Sequence, residues 1–195
     1  LALMSLRRDH QVSVLELAMD STGEIAELAA IAEPEIGAVL NIGFTHVSKL
    51  GSIDAIAAEK LSLVRGLPRT GTALLNADDP RIAPVAAELG CSVTTFGCAE
   101  EAALRRGQVT DRGLDGTSFD VTFGETTERV NSPLPGAHTV SAVLTAIGAA
   151  IALGVNLRGA ASAVSQSRAT GRARVSHTEA GATIIDDRYN SSPAS

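Results

Sequence analysis

Lysine is nearly missing from this chain: of its 16 basic residues only Lys49 and Lys60 are lysines, and the rest are arginines. Tryptophan is absent and aromatic residues make up 3%, too few for the stacked rings that hold single-stranded nucleic acid. Positive charge is also in deficit. Acidic residues outnumber basic ones by 22 to 16, for a net charge of −6, which argues against a broad phosphate-binding surface, so no nucleic-acid partner is expected. The two cysteines, Cys91 and Cys98, make neither a disulfide framework nor a zinc site and point to a reducing compartment, the cytoplasm. No apolar run approaches the ~18 residues of a membrane span, so no membrane association is expected. Gly and Pro, at 18 and 7 of 195 residues, are near their ordinary rates, which argues against collagen, mucin-like stalks and disorder.

What is present is a chain 45% hydrophobic and 19% charged, long enough to bury a core without a disulfide or metal staple. Its first half alternates two periods. Val12 to Leu17, Ile36 to Ile42, Thr72 to Asn76 and Cys91 to Phe96 read as strands. Between them, Glu24 to Ala32, Ile53 to Gly66 and Pro80 to Leu89 read as helices. In the first helix Ile25, Leu28, Ala29 and Ala32 share a face, Ser21 or Thr22 is the expected cap, and Pro34 closes it. Ser52 is expected to open the second. Such alternation predicts an α/β fold with a mostly parallel sheet flanked by helices. Short β-branched runs at Thr117 to Phe123 and Glu125 to Val130, broken by glycines, predict a small β-rich insertion of antiparallel ribbons. Helices follow at Val140 to Leu153 and Leu157 to Ser165, and strands at Arg174 to Thr178 and Ala182 to Asp187.

Ligands bind open parallel sheets at the carboxyl ends of the strands. Glu16 falls near one such end, Asn41-Ile42-Gly43-Phe44-Thr45-His46 after the next, Asn76-Ala77-Asp78-Asp79 at the third and Asp186-Asp187-Arg188-Tyr189-Asn190 at the last. A carboxylate and an imidazole on neighbouring strand ends form a corner suited to a divalent metal. Each residue also has a plainer reading. Glu16 suits an edge residue facing water, His46 a solvated loop, Asp78-Asp79-Pro80 a helix cap with Pro at the first turn, and Asp186-Asp187 a turn. Their shared location is what carries weight.

The run from Asn41 to His46, followed by Leu50-Gly51-Ser52, Ile56-Ala57 and Lys60, resembles the central domain of the Mur ligases, ATP-dependent amide-bond-forming enzymes of peptidoglycan synthesis. Leu75-Asn76-Ala77-Asp78-Asp79-Pro80 and Pro135-Gly136-Ala137-His138 continue the likeness. The ending Asp186-Asp187-Arg188-Tyr189-Asn190 and the early Leu15-Glu16-Leu17-Ala18-Met19 look most like the branch that adds D-alanyl-D-alanine. The resemblance implies that Glu16 and His46 hold Mg2+ and that Lys60 is carbamylated, so that its carbamate serves the metal as well. A carbamate forms only on an unprotonated amine, which a partly desolvated lysine supplies. Lys60 as a solvated helix residue is the plainer alternative. On the nucleotide side the resemblance implies Arg172 near phosphate, Asp187 on the ribose of ATP with Tyr189 and Asn190 beside it, and Asn76 and His138 as further contacts. The implied reaction phosphorylates a UDP-muramoyl-tripeptide carboxylate, and the amine of D-Ala-D-Ala then attacks the acyl phosphate.

The departures carry information too. No Gly-Lys pair occurs, so the phosphate loop of these ligases is expected upstream of Leu1. Residues 1–195 are then one truncated central domain, inactive alone, with the amino-terminal UDP-binding and carboxyl-terminal domains outside it. Thr139 and Ala142 stand where the family usually has Asn, Arg188 where it has Ser, and Ala18 where it commonly has Gly. Other ligases of the superfamily (amino-acid-adding, folylpolyglutamate or cyanophycin types) and a non-catalytic nucleotide-binding module are the alternatives.

Overall fold

The computed structural model describes residues 2–44, 47–167, 174–179 and 181–186. In chain order it runs α1 (Glu24–Ala32), β1 (Ile36–Val39), α2 (Val47–Leu50), α3 (Ile53–Arg65), β2 (Thr72–Asn76), β3 (Ser92–Gly97) and β4 (Leu104–Arg106). The strands β5 (Thr110–Asp111), β6 (Thr117–Phe123) and β7 (Thr126–Ser132) follow, then α4 (Val140–Ala152), α5 (Leu157–Gln166), β8 (Arg174–His177) and β9 (Thr183–Asp186). Seven strands form one sheet. Strands β1 to β4 lie side by side and parallel, β6 joins β4 antiparallel, and β5 and β7 flank β6. The expected α/β class therefore holds, and the antiparallel ribbons extend the main sheet.

Strand β2 explains the layering. All of Ala73 to Asn76 is buried, as suits a strand covered on both faces. Leu74 joins Phe96, Leu144 and Ile147 in the core under α4, while Ala73 and Leu75 meet Ala57, Leu61 and Val64 of α3. Each leucine so enclosed contributes about 1.5–3 kcal/mol. Helix α3 forms because Ile56, Ala57, Leu61 and Val64 recur on one face and Ser52 Oγ accepts the Ala55 N–H at 3.1 Å. Helix α1 has the expected bounds and ends at Glu33, whose φ of 46° leaves the helix just before Pro34.

Several sequence expectations are corrected. Val12 to Leu17 joins no ladder among the described residues. A strand holds its shape through neighbouring backbone, and among the described residues no strand pairs with this segment, whose Val14 stands 92% exposed. The segment reaches the core at its end, where the half-buried Leu17 packs against the cluster of Met19, Ile25 and Ile56. Strand β1 stops at Val39, and residues 40–42 leave the sheet. The helix expected over Pro80 to Leu89 is a 3-10 turn at Ala83–Ala87. Pro84 has no N–H to offer the Pro80 carbonyl, so the α-helical ladder cannot run through it. Neither Ser21 nor Thr22 caps α1, because Gly23 occupies the cap with φ 94°. Among the described residues β8 and β9 pair with each other alone, antiparallel, as a separate two-stranded sheet. Asp186 therefore ends a hairpin strand, not a strand of the parallel sheet.

Candidate active site

Because β1, β2 and β3 are parallel, their carboxyl ends share one edge, and polar side chains gather there. Three of them grip three consecutive residues of the loop that leaves β1. Asn76 Nδ2 donates to the Leu40 carbonyl at 2.7 Å, Lys60 Nζ donates to the Asn41 carbonyl at 3.0 Å, and Asp79 Oδ2 accepts the Ile42 N–H at 2.8 Å. The far side of Asn76 is also engaged, its Oδ1 accepting the Asp78 N–H at 2.9 Å. Asp79 Oδ1 accepts the Arg81 N–H at 2.9 Å, a local turn in place of the expected helix cap, because no helix starts at Pro80 and the 3-10 helix is entered at Ile82. Asp78 faces the end of β3, where its carboxylate takes the Cys98 and Ala99 N–H groups at 2.9 and 3.1 Å.

Lys60 is half-buried on α3. Burial pushes its pKa below the ordinary lysine value, and the nearby Asp79 carboxylate opposes that shift. Its neighbour Glu59 is fully enclosed and points the other way, with Oε2 on the Gly23 N–H and Oε1 on the Ile25 N–H, both at 2.8 Å. Two free N–H groups at the positive end of α1 suit a carboxylate. Sequence reasoning missed Glu59. Its signal was a carboxylate set among Ile56, Ala57 and Val64 on an otherwise apolar stripe.

Of the sequence candidates, Lys60 and Asn76 converge on the loop after β1. Glu16 is exposed on the unpaired 12–17 segment, and His138 is exposed in the 3-10 turn Ala137–Thr139 that leads into α4. His46, Arg172, Asp187, Tyr189 and Asn190 lie outside the described residues. Among the described residues no three His, Cys, Asp or Glu side chains gather as a ready metal cage. The chemistry of the donors still fits a hard cation in part: Glu16 offers free carboxylate oxygens, whereas Lys60 offers oxygen only as a carbamate. Among the described residues no helix is long and apolar enough to cross a membrane.

An open α/β sheet covered by helices, with a polar cluster at the ends of its parallel strands, defines the class of domains that take ligands at that edge. Residues 1–150 match the model of the Mur ligase middle domain. The chain belongs to the Mur ligase family. It is 31% identical over 196 residues to the UDP-N-acetylmuramoyl-tripeptide–D-alanyl-D-alanine ligase of Bacillus subtilis, an alignment covering 100% of this chain and 42% of the relative. A crystal structure of MurF from Acinetobacter baumannii superposes with a TM-score of 0.87 at 28% identity, over 98% of this chain and 42% of that one. MurF of Thermotoga maritima, solved in complex with ADP, has the same fold with a TM-score of 0.75 at 21% identity, over 91% of this chain and 41% of its own. The chain thus spans about two fifths of the length of these relatives.

Proposed function

We propose that this chain is the central, nucleotide-binding domain of an ATP-dependent ligase that joins D-alanyl-D-alanine to a UDP-muramoyl-tripeptide. The observation that supports this reading is likeness to a UDP-N-acetylmuramoyl-tripeptide–D-alanyl-D-alanine ligase across 100% of the chain. In this reading the UDP-binding and carboxyl-terminal domains of the same protein lie beyond residues 1–195, and the protein works in the cytoplasm.

ATP phosphorylates the tripeptide carboxylate, and the amine of D-Ala-D-Ala displaces phosphate from the acyl phosphate. A domain of net charge −6 meets two anionic substrates here, so local cations must offset the repulsion. Bound Mg2+ would supply charge neutralisation at the phosphoryl oxygens. Glu16, His46 and a carbamylated Lys60 are the residues to hold it. The lowered affinity of Lys60 for its proton favours the unprotonated amine that carbamate formation needs. After that reaction one N–H remains on Nζ, still able to donate to Asn41. Arg172 is suited by its planar fork to a bidentate grip on phosphate. Asp187 takes the ribose hydroxyls, flanked by Tyr189 and Asn190, with Asn76 and His138 as further nucleotide-side residues.

The test is a coupled phosphate-release assay on the full-length gene product with a panel of amine acceptors. Release that requires both UDP-muramoyl-tripeptide and D-Ala-D-Ala is the expected result. Release driven by a single amino acid instead would assign another branch of the family, and nucleotide binding without release under any acceptor would assign a non-catalytic module.

A further inference from the structure

We infer that Asp79 is a positioning residue of the candidate site, fixing the loop after β1 by its Ile42 N–H and, through that loop, the carbonyl on which Lys60 rests. The bond is 2.8 Å long and half-buried, and it spans 37 residues of sequence, so it ties together two loops that the sheet alone leaves free. Strand β1 contributes no ladder bond beyond Val39, where its register with β2 ends at Leu75. The next three residues therefore owe their geometry to side chains. Asn76 sets Leu40, Asp79 sets Ile42, and Asn41 between them turns its carbonyl to Lys60 Nζ. A carbonyl whose two flanking residues are pinned presents one direction to an approaching amine; a free loop would present many. Asp79 itself is anchored. The N–H groups of Ile82 and Ala83 both bond its carbonyl at 3.0 Å, and Arg81 N–H meets its second carboxylate oxygen. The carboxylate is thus held from behind while it holds the loop in front.

The consequence for catalysis rests on the ligase reading, but the clamp can be measured on this chain without substrate. With only two lysines, a chain labelled with 13C-lysine gives one signal set for Lys60 and one for Lys49 as internal control. In Asp79→Ala the Ile42 amide should exchange about tenfold faster, the factor carried by one hydrogen bond of ordinary strength, while Leu74 and Leu75 amides change less than about twofold. The Lys60 side-chain signals should move and those of Lys49 stay. Asp79→Asn keeps one acceptor oxygen, which the half-buried Ile42 N–H claims ahead of the exposed Arg81 N–H, so Ile42 exchange should return toward wild type, and the Lys60 signals should keep only the displacement that loss of the Asp79 charge causes. Unchanged Ile42 exchange in Asp79→Ala overturns the inference. So does loosening of β2 to the same degree, which marks a merely structural role, or Lys60 signals that stay put while Ile42 loosens. Equal Ile42 exchange in the Asn and Ala variants overturns it as well. Phosphate release tests the ligase reading separately, so failure of one is not mistaken for failure of the other.

Discussion

Glu59 of α3 caps a helix other than its own: its two carboxylate oxygens receive the Gly23 and Ile25 N–H groups at the start of α1, each at 2.8 Å. This joint also closes the small core of Met19, Ile25 and Ile56. Glu59→Ala leaves two N–H groups without an acceptor beside that core and should cost about 2–4 kcal/mol, within the range for charge-assisted bonds lost to a buried gap. Glu59→Gln keeps one acceptor and should cost roughly half as much. Urea unfolding followed by circular dichroism measures both, and equal stability of Glu59→Ala and wild type would refute the joint.

Gly97 ends β3 with φ 154°, and a methyl group added there would lie 2.5 Å from Asp78 Oδ1. The same carboxylate holds the Cys98 and Ala99 N–H groups, so it cannot withdraw without releasing them. Gly97→Ala should therefore destabilise by about 1–3 kcal/mol, read as a lower melting temperature. Combined with Asp78→Ala, which removes the obstacle, the added loss should be smaller than the sum of the two. Strict additivity would show that the two residues do not collide.

Glu24 gives a stability term with a defined pH dependence. Its carboxylate accepts the Asp20 N–H at 2.6 Å, the Ser21 hydroxyl at 2.7 Å and the Ser21 N–H at 3.1 Å. These bonds, the Asp20 N–H foremost, hold its pKa below the ordinary value of 4.5. A carboxyl whose folded pKa is lowered stabilises the fold above its unfolded pKa and loses that contribution as pH falls through the folded value. Melting temperatures of wild type and Glu24→Gln should thus differ at neutral pH and converge in acid. A difference that persists in acid strong enough to protonate the carboxyl in both states would contradict the assignment.

The layered sheet was legible because hydrophobic period reports it directly: Thr72 to Asn76 and Glu24 to Ala32 have the bounds their patterns predict. Val12 to Leu17 misled because its apolar spacing says nothing about whether a neighbouring strand is there to bond it. Pro80 to Leu89 misled because the cost of Pro84 outweighs apolar spacing over so short a stretch. Lys60 and Asn76 were named from the family resemblance, and the structure brings both to the loop after β1. Asp79 was read as a cap because local sequence reveals bonds to Arg81, two residues on, and hides those to Ile42, 37 residues away. Glu59 was visible as a charge on an apolar stripe, yet its partners sit 34 and 36 residues distant.

Lys60 separates two roles that one amine could fill. As a hydrogen-bond donor it needs only an N–H directed at the Asn41 carbonyl, 3.0 Å away. As a carbamate it must react with carbon dioxide through an unprotonated nitrogen, which its partial burial favours. Lys60→Arg keeps donors of similar reach but holds its proton at any working pH and cannot be carbamylated. In the full-length gene product Lys60→Arg should therefore fold with near wild-type stability and lose ligase turnover by at least about a hundredfold, the scale of a missing charge-stabilising group in phosphoryl transfer. Lys60→Ala should be as inactive, and added bicarbonate should restore part of its turnover without helping Lys60→Arg, whose guanidinium occupies the space. Phosphate release measured with and without bicarbonate reads all three proteins. Substantial turnover in Lys60→Arg would reduce Lys60 to the donor role and remove the carbamate from the mechanism.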